Sequence, residues 1–302
     1  MKIGVVIVTY NRIEKLKKAL TAFELQTKSP SYIIVVNNAS TDKTSSFLKK
    51  WKTSKSGYKK YVVNLSENIG GSGGFYRGLK FALKLDSNWI WLSDDDAFPE
   101  KKALEVADKY LNNNLSAVCG TVINNGKIDL GHRKKYKLGK FKLTSVNYPQ
   151  ELYKREKFNI ECFSYVGTIL NKKKLEKVGL TREDYFIWLD DTEHSLRLSK
   201  VGDIICVPSI RVHHDVGNYE DTYSWKDYYG IRNAVDMYRE LFPSRYYKYF
   251  CCESLIKSST NILIGRNTEY NRLRRRAVLD GISKNMGINS LYRPGWKSKS
   301  KK

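Results

Sequence analysis

The chain has 302 residues, 41% of them hydrophobic and 13% aromatic, which is enough apolar content for a substantial core and excludes a disordered chain. Lys and Arg number 54 against 31 Asp and Glu, a formal net charge of +23, so the surface attracts phosphate groups, whether on nucleic acid or on an anionic membrane. No run approaches the roughly 18 consecutive apolar residues that cross a bilayer, and five cysteines without a Cys-x-x-Cys pair argue against a disulfide scaffold or a zinc site and for reduced cytosolic thiols.

The first apolar run, Ile3 to Val8, is ended at once by Thr9-Tyr10-Asn11-Arg12; it is too short for a signal-peptide core and reads as a first β-strand. Further strands are expected at 32–36, 61–65, 89–92 and 117–123, with helices at 13–25, 43–51, 75–85 and 101–111. Ile13, Leu16, Leu20 and Phe23 recur at three- and four-residue steps, the spacing of one buried helix face. Such alternation implies an α/β fold with a mostly parallel, Rossmann-like sheet flanked by helices. From 124 to 158 the pattern gives way to a basic, Gly-containing excursion around His132-Arg133-Lys134-Lys135, expected as a mobile loop or hairpin. Sheet-like sequence returns over 159–170, followed by helices at 172–178 and 190–200 and a strand at 203–207. Helices are then expected at 225–241, 246–264 and 270–284. The chain thus divides into an α/β domain over 1–220 and a basic helical region over 221–302. From Leu241 onward 14 Lys and Arg face 3 acidic residues, most of them in Arg272, Arg274, Arg275, Arg276 and Lys297, Lys299, Lys301, Lys302. That stretch suits an anionic membrane; a solubilising tail from Lys297 and a helical packing or homo-oligomerisation module are the alternatives.

In open α/β sheets the ligand crevice lies beyond the carboxyl ends of the strands. Those ends carry Thr9-Tyr10-Asn11-Arg12, then Asn37-Asn38-Ala39-Ser40-Thr41-Asp42, then Asn68-Ile69-Gly70-Gly71-Ser72-Gly73-Gly74, then Ser93-Asp94-Asp95-Asp96. The glycine stretch lacks the Gly-Lys-Ser/Thr ending of a P-loop and the register of a dinucleotide fingerprint. Its glycines let backbone approach a ligand, with the next helix start and Arg77 suited to a diphosphate; a tight turn against the sheet is the other reading. Asp94, Asp95 and Asp96 repel one another unless a cation compensates, and carboxylate oxygens favour Mg²⁺ or Mn²⁺, ions that bridge diphosphate oxygens. A solvated acidic turn is the alternative. Trp188-Leu189-Asp190-Asp191-Thr192-Glu193 delivers acids into a first helical turn, where they serve either the helix dipole or general-base work. His213-His214 offers a metal ligand or a structural pair.

Read together, these stretches over residues 1 to about 215 resemble glycosyltransferase family 2, inverting enzymes with a GT-A fold, and most resemble its galactofuranosyltransferase branch. The resemblance implies a metal-dependent transfer of a sugar, galactofuranose from UDP-galactofuranose, to a hydroxyl of a growing, lipid-linked cell-surface glycan. It implies donor contacts from Thr9, Asn11, Arg12, Asn37, Asn38, Asn68, Gly71, Arg77, Asp94 and Asp95, and Mn²⁺ or Mg²⁺ on Asp94, Asp96 and His214. Asp191 is implied as the catalytic base, with Trp188, Asp190 and Glu193 at the acceptor. Work on a lipid-linked glycan places the protein in the cytoplasm, peripheral at the inner face of the cell membrane. Rhamnosyl, galactosyl or glucosyl transfer is the near alternative. A nucleotidyltransferase would leave the segment from Trp188 to Glu193 unexplained, and a nucleic-acid partner is not expected because no binding module is recognisable.

Overall fold

The computed structural model describes residues 1–216 and 222–301. The expected division between 220 and 221, and the side chain of Lys302, lie outside those residues. Ile3–Thr9 (β1), Tyr32–Asn37 (β2), Lys59–Asn64 (β3) and Trp89–Asp94 (β4) alternate with the helices Ile13–Glu24 (α1), Thr44–Thr53 (α2) and Gly70–Ala82 (α3). β1 is buried along its whole length because helices cover both faces of the sheet, and its β-branched residues suit that site. Val5 and Ile7 enter one core layer and Val6 and Val8 the other, as the period of two demands. Strands β3, β2, β1 and β4 lie side by side, all parallel.

Next come Ala97–Pro99 (β5), Ala103–Asp108 (α4), Leu115–Asn124 (β6) and Lys127–Ile128 (β7), then Arg133–Leu138 (β8) and Leu143–Asn147 (β9). The strands Phe158–Asn159 (β10), Cys162–Phe163 (β11) and Thr168–Asn171 (β12) follow, then Lys172–Val178 (α5), Asp190–Leu198 (α6) and Asp203–His214 (β13). The main sheet runs β10-β13-β6-β12-β4-β1-β2-β3, mostly parallel between its long strands, with β12 antiparallel to both β4 and β6. β13 extends seven residues beyond the strand expected at 203–207. Pro208 offers no amide to the ladder, and the register against β6 shifts between Cys206 and Arg211 before pairing resumes toward His213. The basic excursion is an ordered hairpin, β8 with β9, joined by β11 into a small second sheet.

The last elements are Thr222–Ser224 (β14), Trp225–Leu241 (α7), Ser244–Leu263 (α8), Thr268–Ile282 (α9) and Lys297–Lys301 (β15). A capping box, Ser224 with Asp227, starts α7. The basic tail is not helical: β15 pairs antiparallel with β14. No helix among the described residues is long and apolar enough to cross a membrane. Four cysteines are buried and Cys252 is exposed, all free.

Candidate active site

The strand ends converge as expected, and a cleft of about 670 Å³ opens above them. Beside it lies a smaller cavity of about 280 Å³, which shares Arg12, Gly71, Asp94, Ile187 and Lys226 with the first. Thr9, Asn38, Asn68, Gly71, Asp94 and Asp95 line the smaller one. The Thr9 hydroxyl donates to Asp95 at 2.8 Å, and the Asn38 amide donates to Asn68 at 3.0 Å and to the Gly70 carbonyl at 2.9 Å. Asn11 accepts from the Thr41 amide at 2.7 Å, shaping the turn after β2 rather than lining a cavity. Asn37 is buried and donates to Ser45 and Asn64. Arg77 pairs with Glu183 at 2.7 Å and lines neither cavity.

The glycine stretch is the first turn of α3, five residues earlier than the periodicity places the helix, because glycine reads as loop in sequence. Its glycines serve packing more than a ligand. A Cβ at Gly74 or Gly78 would come within 2.5 Å of Val8 or 2.3 Å of Val6, so α3 lies tightly on β1. Only at Gly71, of the stretch from 70 to 74, would a Cβ meet open space for want of any neighbour, and Gly71 faces both cavities.

Asp94, Asp96 and His214 offer ligand atoms that all lie within 4.8 Å of one another. Asp94 ends β4, Asp96 lies in the turn between β4 and β5, and the extended β13 carries the histidine, whose Nε2 sits 3.2 Å from Asp96. Burial and the facing Asp96 carboxylate push Asp94 above the ordinary carboxylate range, and burial pushes Asp95 up to about 6. Burial pushes Asp96 up as well, but the hydrogen bond from His214 and the charge of Arg12, 2.8 Å away, outweigh it and hold Asp96 low. His214 Nδ1 is buried without a hydrogen-bond partner among the described residues. Two desolvated carboxylates and an imidazole fit a dication of the Mn²⁺ or Mg²⁺ kind.

The other wall of the large cleft is Ile187, Trp188, Leu189, Asp190, Asp191 and Thr192. Asp191 accepts from the Thr192 amide at 2.6 Å and hydroxyl at 3.1 Å. Burial raises its pKa, partly offset by those bonds and by Lys134, while burial and Asp191 together raise Asp190 further. Glu193 is spent elsewhere, in a two-pronged pair with Arg197 at 2.7 and 2.8 Å, and does not line the cleft.

The segment before these acids is strained: Phe186, Trp188 and Leu189 have φ of 68°, 65° and 66°. Such backbone costs about 1–3 kcal/mol per residue and persists only where its surroundings impose it. Here α7 imposes it. The buried Asn233 amide donates to the carbonyls of Tyr185, Ile187 and Trp188 at 3.1, 3.0 and 2.8 Å. Arg232, fully buried beside it, donates to the Asp184 and Tyr185 carbonyls. From the opposite side the Ser72 amide holds the Phe186 carbonyl at 3.2 Å. Gly230 leaves room for the Trp188 indole, which a Cβ would approach to 2.8 Å.

The sequence reading missed Arg232 and Asn233, although Arg232 stands one step after Tyr228 and one before Val235 on a buried stripe, where a cation is out of place. It also missed His132 and Lys134, which line the cleft from the hairpin. The His132 ring lies 5.3 Å from that of His214. Arg133 anchors this wall from inside, its guanidinium donating to the Gly120 and Val166 carbonyls at 2.9 and 2.8 Å.

The fold and its cleft define a glycosyltransferase of the GT-A type. Residues 4–179 match the model of glycosyl transferase family 2, and the chain belongs to that family. It is similar to galactofuranosyltransferase GlfT1 of Mycolicibacterium smegmatis, 36% identical over 94 residues, which are 31% of this chain and 30% of that protein. The chain thus spans about a third of the length of these relatives. It is also similar to dTDP-rhamnosyl transferase RfbF of Shigella flexneri, 25% identical over 295 residues, 92% of this chain and 94% of that one. The crystal structure of GalNAc-T7 with UDP, GalNAc and Mn²⁺ shares the fold, with a TM-score of 0.64 at 16% identity, over 97% of this chain and 58% of that one.

Proposed function

We propose that the protein transfers galactofuranose from UDP-galactofuranose to a hydroxyl of a lipid-linked cell-surface glycan, with inversion at the anomeric carbon and with Mn²⁺ or Mg²⁺. The observation that carries this reading is the meeting of Asp94, Asp96 and His214 in one cleft whose other wall holds Asp191. Similarity to the galactofuranosyltransferases supports the donor. A dication held by Asp94, Asp96 and His214 would supply positive charge against the departing nucleoside diphosphate. Thr9, Asn38, Asn68 and Gly71 bind the nucleotide half of the donor, and Arg12 adds positive charge beside Asp95 and Asp96. Asn37 and Asn11 shape that wall from behind. Asp191 takes the proton of the acceptor hydroxyl as it attacks the face opposite the leaving group. Trp188 gives the acceptor ring an apolar platform, and Asp190 orders its hydroxyls. One displacement inverts the carbon, with no covalent intermediate on the enzyme. The acceptor places the protein at the cytoplasmic face of the cell membrane, peripherally bound.

A dTDP-rhamnose donor is the second reading, favoured by the similarity to RfbF over nearly the whole chain. Thermal-shift titrations with Mn²⁺ and UDP-galactofuranose, UDP-galactose, UDP-glucose or dTDP-rhamnose decide between them. The proposal expects the largest stabilisation from UDP-galactofuranose and its loss in Asp96→Ala. A larger shift with dTDP-rhamnose selects the second reading, and no shift with any sugar nucleotide overturns both.

A further inference from the structure

α8 buries one face against the protein and leaves a second apolar face uncovered. Tyr249, Ile256 and Leu263 stand seven residues apart, two turns each, so they line one side of the helix over about 21 Å. Ile256 is 68% exposed and Leu263 86%. At one end the stripe is continued by the turn between β8 and β9. Phe141 stacks on Tyr249 with ring centroids 6.2 Å apart, the Tyr246 hydroxyl donates to the Gly139 carbonyl at 2.8 Å, and Leu138 is exposed beside them. At the other end a groove of about 550 Å³ between α8 and α9 is lined by Ile262, Leu263, Arg272, Arg275 and Arg276. Arg276 pairs with Asp280, whereas Arg272 and Arg275 have no ion pair among the described residues.

We infer that this face of α8, with the arginines of α9 and the β8–β9 turn, docks the protein onto a bilayer rich in anionic phospholipid. Exposed apolar residues along a helix flanked by cations are the chemistry of an interfacial helix, and guanidinium groups donate charge-assisted hydrogen bonds to lipid phosphates. A second copy of the chain fits the face poorly. Lys137, Lys140 and Lys142 surround one end and the arginines the other, while α8 carries a single acid, Glu253. The acids of α9 are already engaged, Glu269 by Ser298 and the Lys299 amide, Asp280 by Tyr228 and Arg276. A two-fold contact would therefore set cation against cation, and an anionic bilayer complements it. The geometry also joins the surface to the cleft: β8 runs from Lys134 in the cleft wall to Leu138 at the docking face, about 13 Å along a strand. Delivery of a lipid-linked acceptor along this route rests on the function proposed above; docking itself does not.

The test is sedimentation of the full chain with phosphatidylcholine vesicles and with vesicles containing phosphatidylglycerol, at low and high salt. The wild type is expected to bind the anionic vesicles and lose them in high salt, and both Ile256→Asp/Leu263→Asp and Arg272→Gln/Arg275→Gln are expected to weaken binding at least tenfold. Equal binding to neutral and anionic vesicles, or undiminished binding by both variants, overturns the inference. So does a dimer in analytical ultracentrifugation that the aspartate variant breaks, since the face is then a subunit interface. Metal-dependent hydrolysis of UDP-galactofuranose in vesicle-free buffer is expected to be unchanged in both variants. Its absence from the wild type, with vesicle binding intact, would sink the proposed function and leave the docking surface standing.

Discussion

Asp94 and Asp96 stand at the end of a strand buried between two core layers, whereas Asp190 and Asp191 follow a turn in which three residues have positive φ. The first pair is placed by the sheet itself: β4 beside β1 sets Asp94, and the pairing of β5 with β13 brings Asp96, in the turn between β4 and β5, to His214. The second pair is placed by remote groups, Ser72 on one side and Arg232 with Asn233 on the other, without which the turn has no reason to keep its shape. The difference teaches that α7, although it follows the α/β sheet in the chain, is part of the candidate active site. α7 contributes Lys226 and Gly230 to the cleft lining and the clamp that holds its acidic wall. Charges at strand ends are inherited from the fold; charges after a strained turn depend on whatever holds the turn.

The comparison can be broken most severely at the acids themselves. Asp191→Asn is expected to lower transfer by roughly 10²–10⁴-fold, the usual contribution of a general base, while donor affinity measured by calorimetry survives. Near-normal turnover in that variant would remove Asp191 from the chemistry. Asp96→Ala acts on the other wall: Mn²⁺-dependent donor binding should vanish in calorimetry, with the small metal-independent part retained. Asn233→Ala separates clamp from chemistry. It removes the Asn233 donor from the Ile187 and Trp188 carbonyls and leaves the Tyr185 carbonyl to Arg232, so we expect a loss of about 1–3 kcal/mol in urea unfolding. Because it displaces the acidic wall, kcat should also fall by up to about 10²-fold with the donor KM unchanged. Loss of stability without any change in kcat would show that the turn keeps its shape unaided.

The smallest expected effect is electrostatic. The base must be ionised to act, so kcat/KM rises as pH passes its pKa, which burial has already raised. Lys134, which lines the same cleft, pulls that pKa down. Lys134→Gln should therefore move the acid limb of the pH profile to higher pH, whereas an unmoved or lowered limb would assign the limb to another group.

Much of the first wall was legible because its signals are local. In β1 and again in β4 the apolar run and the polar or acidic residues that end it lie within a few residues of one another, and parallel pairing of the two strands carries both ends to one edge. The second wall was legible only as an acidic turn. Nothing local in Phe186-Ile187-Trp188-Leu189 announces positive φ, since none of these residues favours it. The clamp from Asn233 reaches back 45 to 48 positions, a contact that no pattern of spacing encodes. The hairpin was hidden by its charge: Arg133 reads as surface, yet it is buried because backbone carbonyls satisfy its guanidinium. Glu193 and Arg77 fit the site by position in the sequence, but each is neutralised by a partner of opposite charge, Arg197 and Glu183. The uncovered face of α8 escaped notice for a related reason: a helix apolar on two sides shows little one-sided periodicity.

The most direct measurement is an anomalous-difference map from crystals grown with MnCl₂ and UDP. The account predicts one strong peak within bonding distance of Asp94, Asp96 and His214, with UDP in the cavity lined by Thr9, Asn38 and Asn68. A peak elsewhere, or ordered UDP with those three side chains holding no manganese, would contradict it.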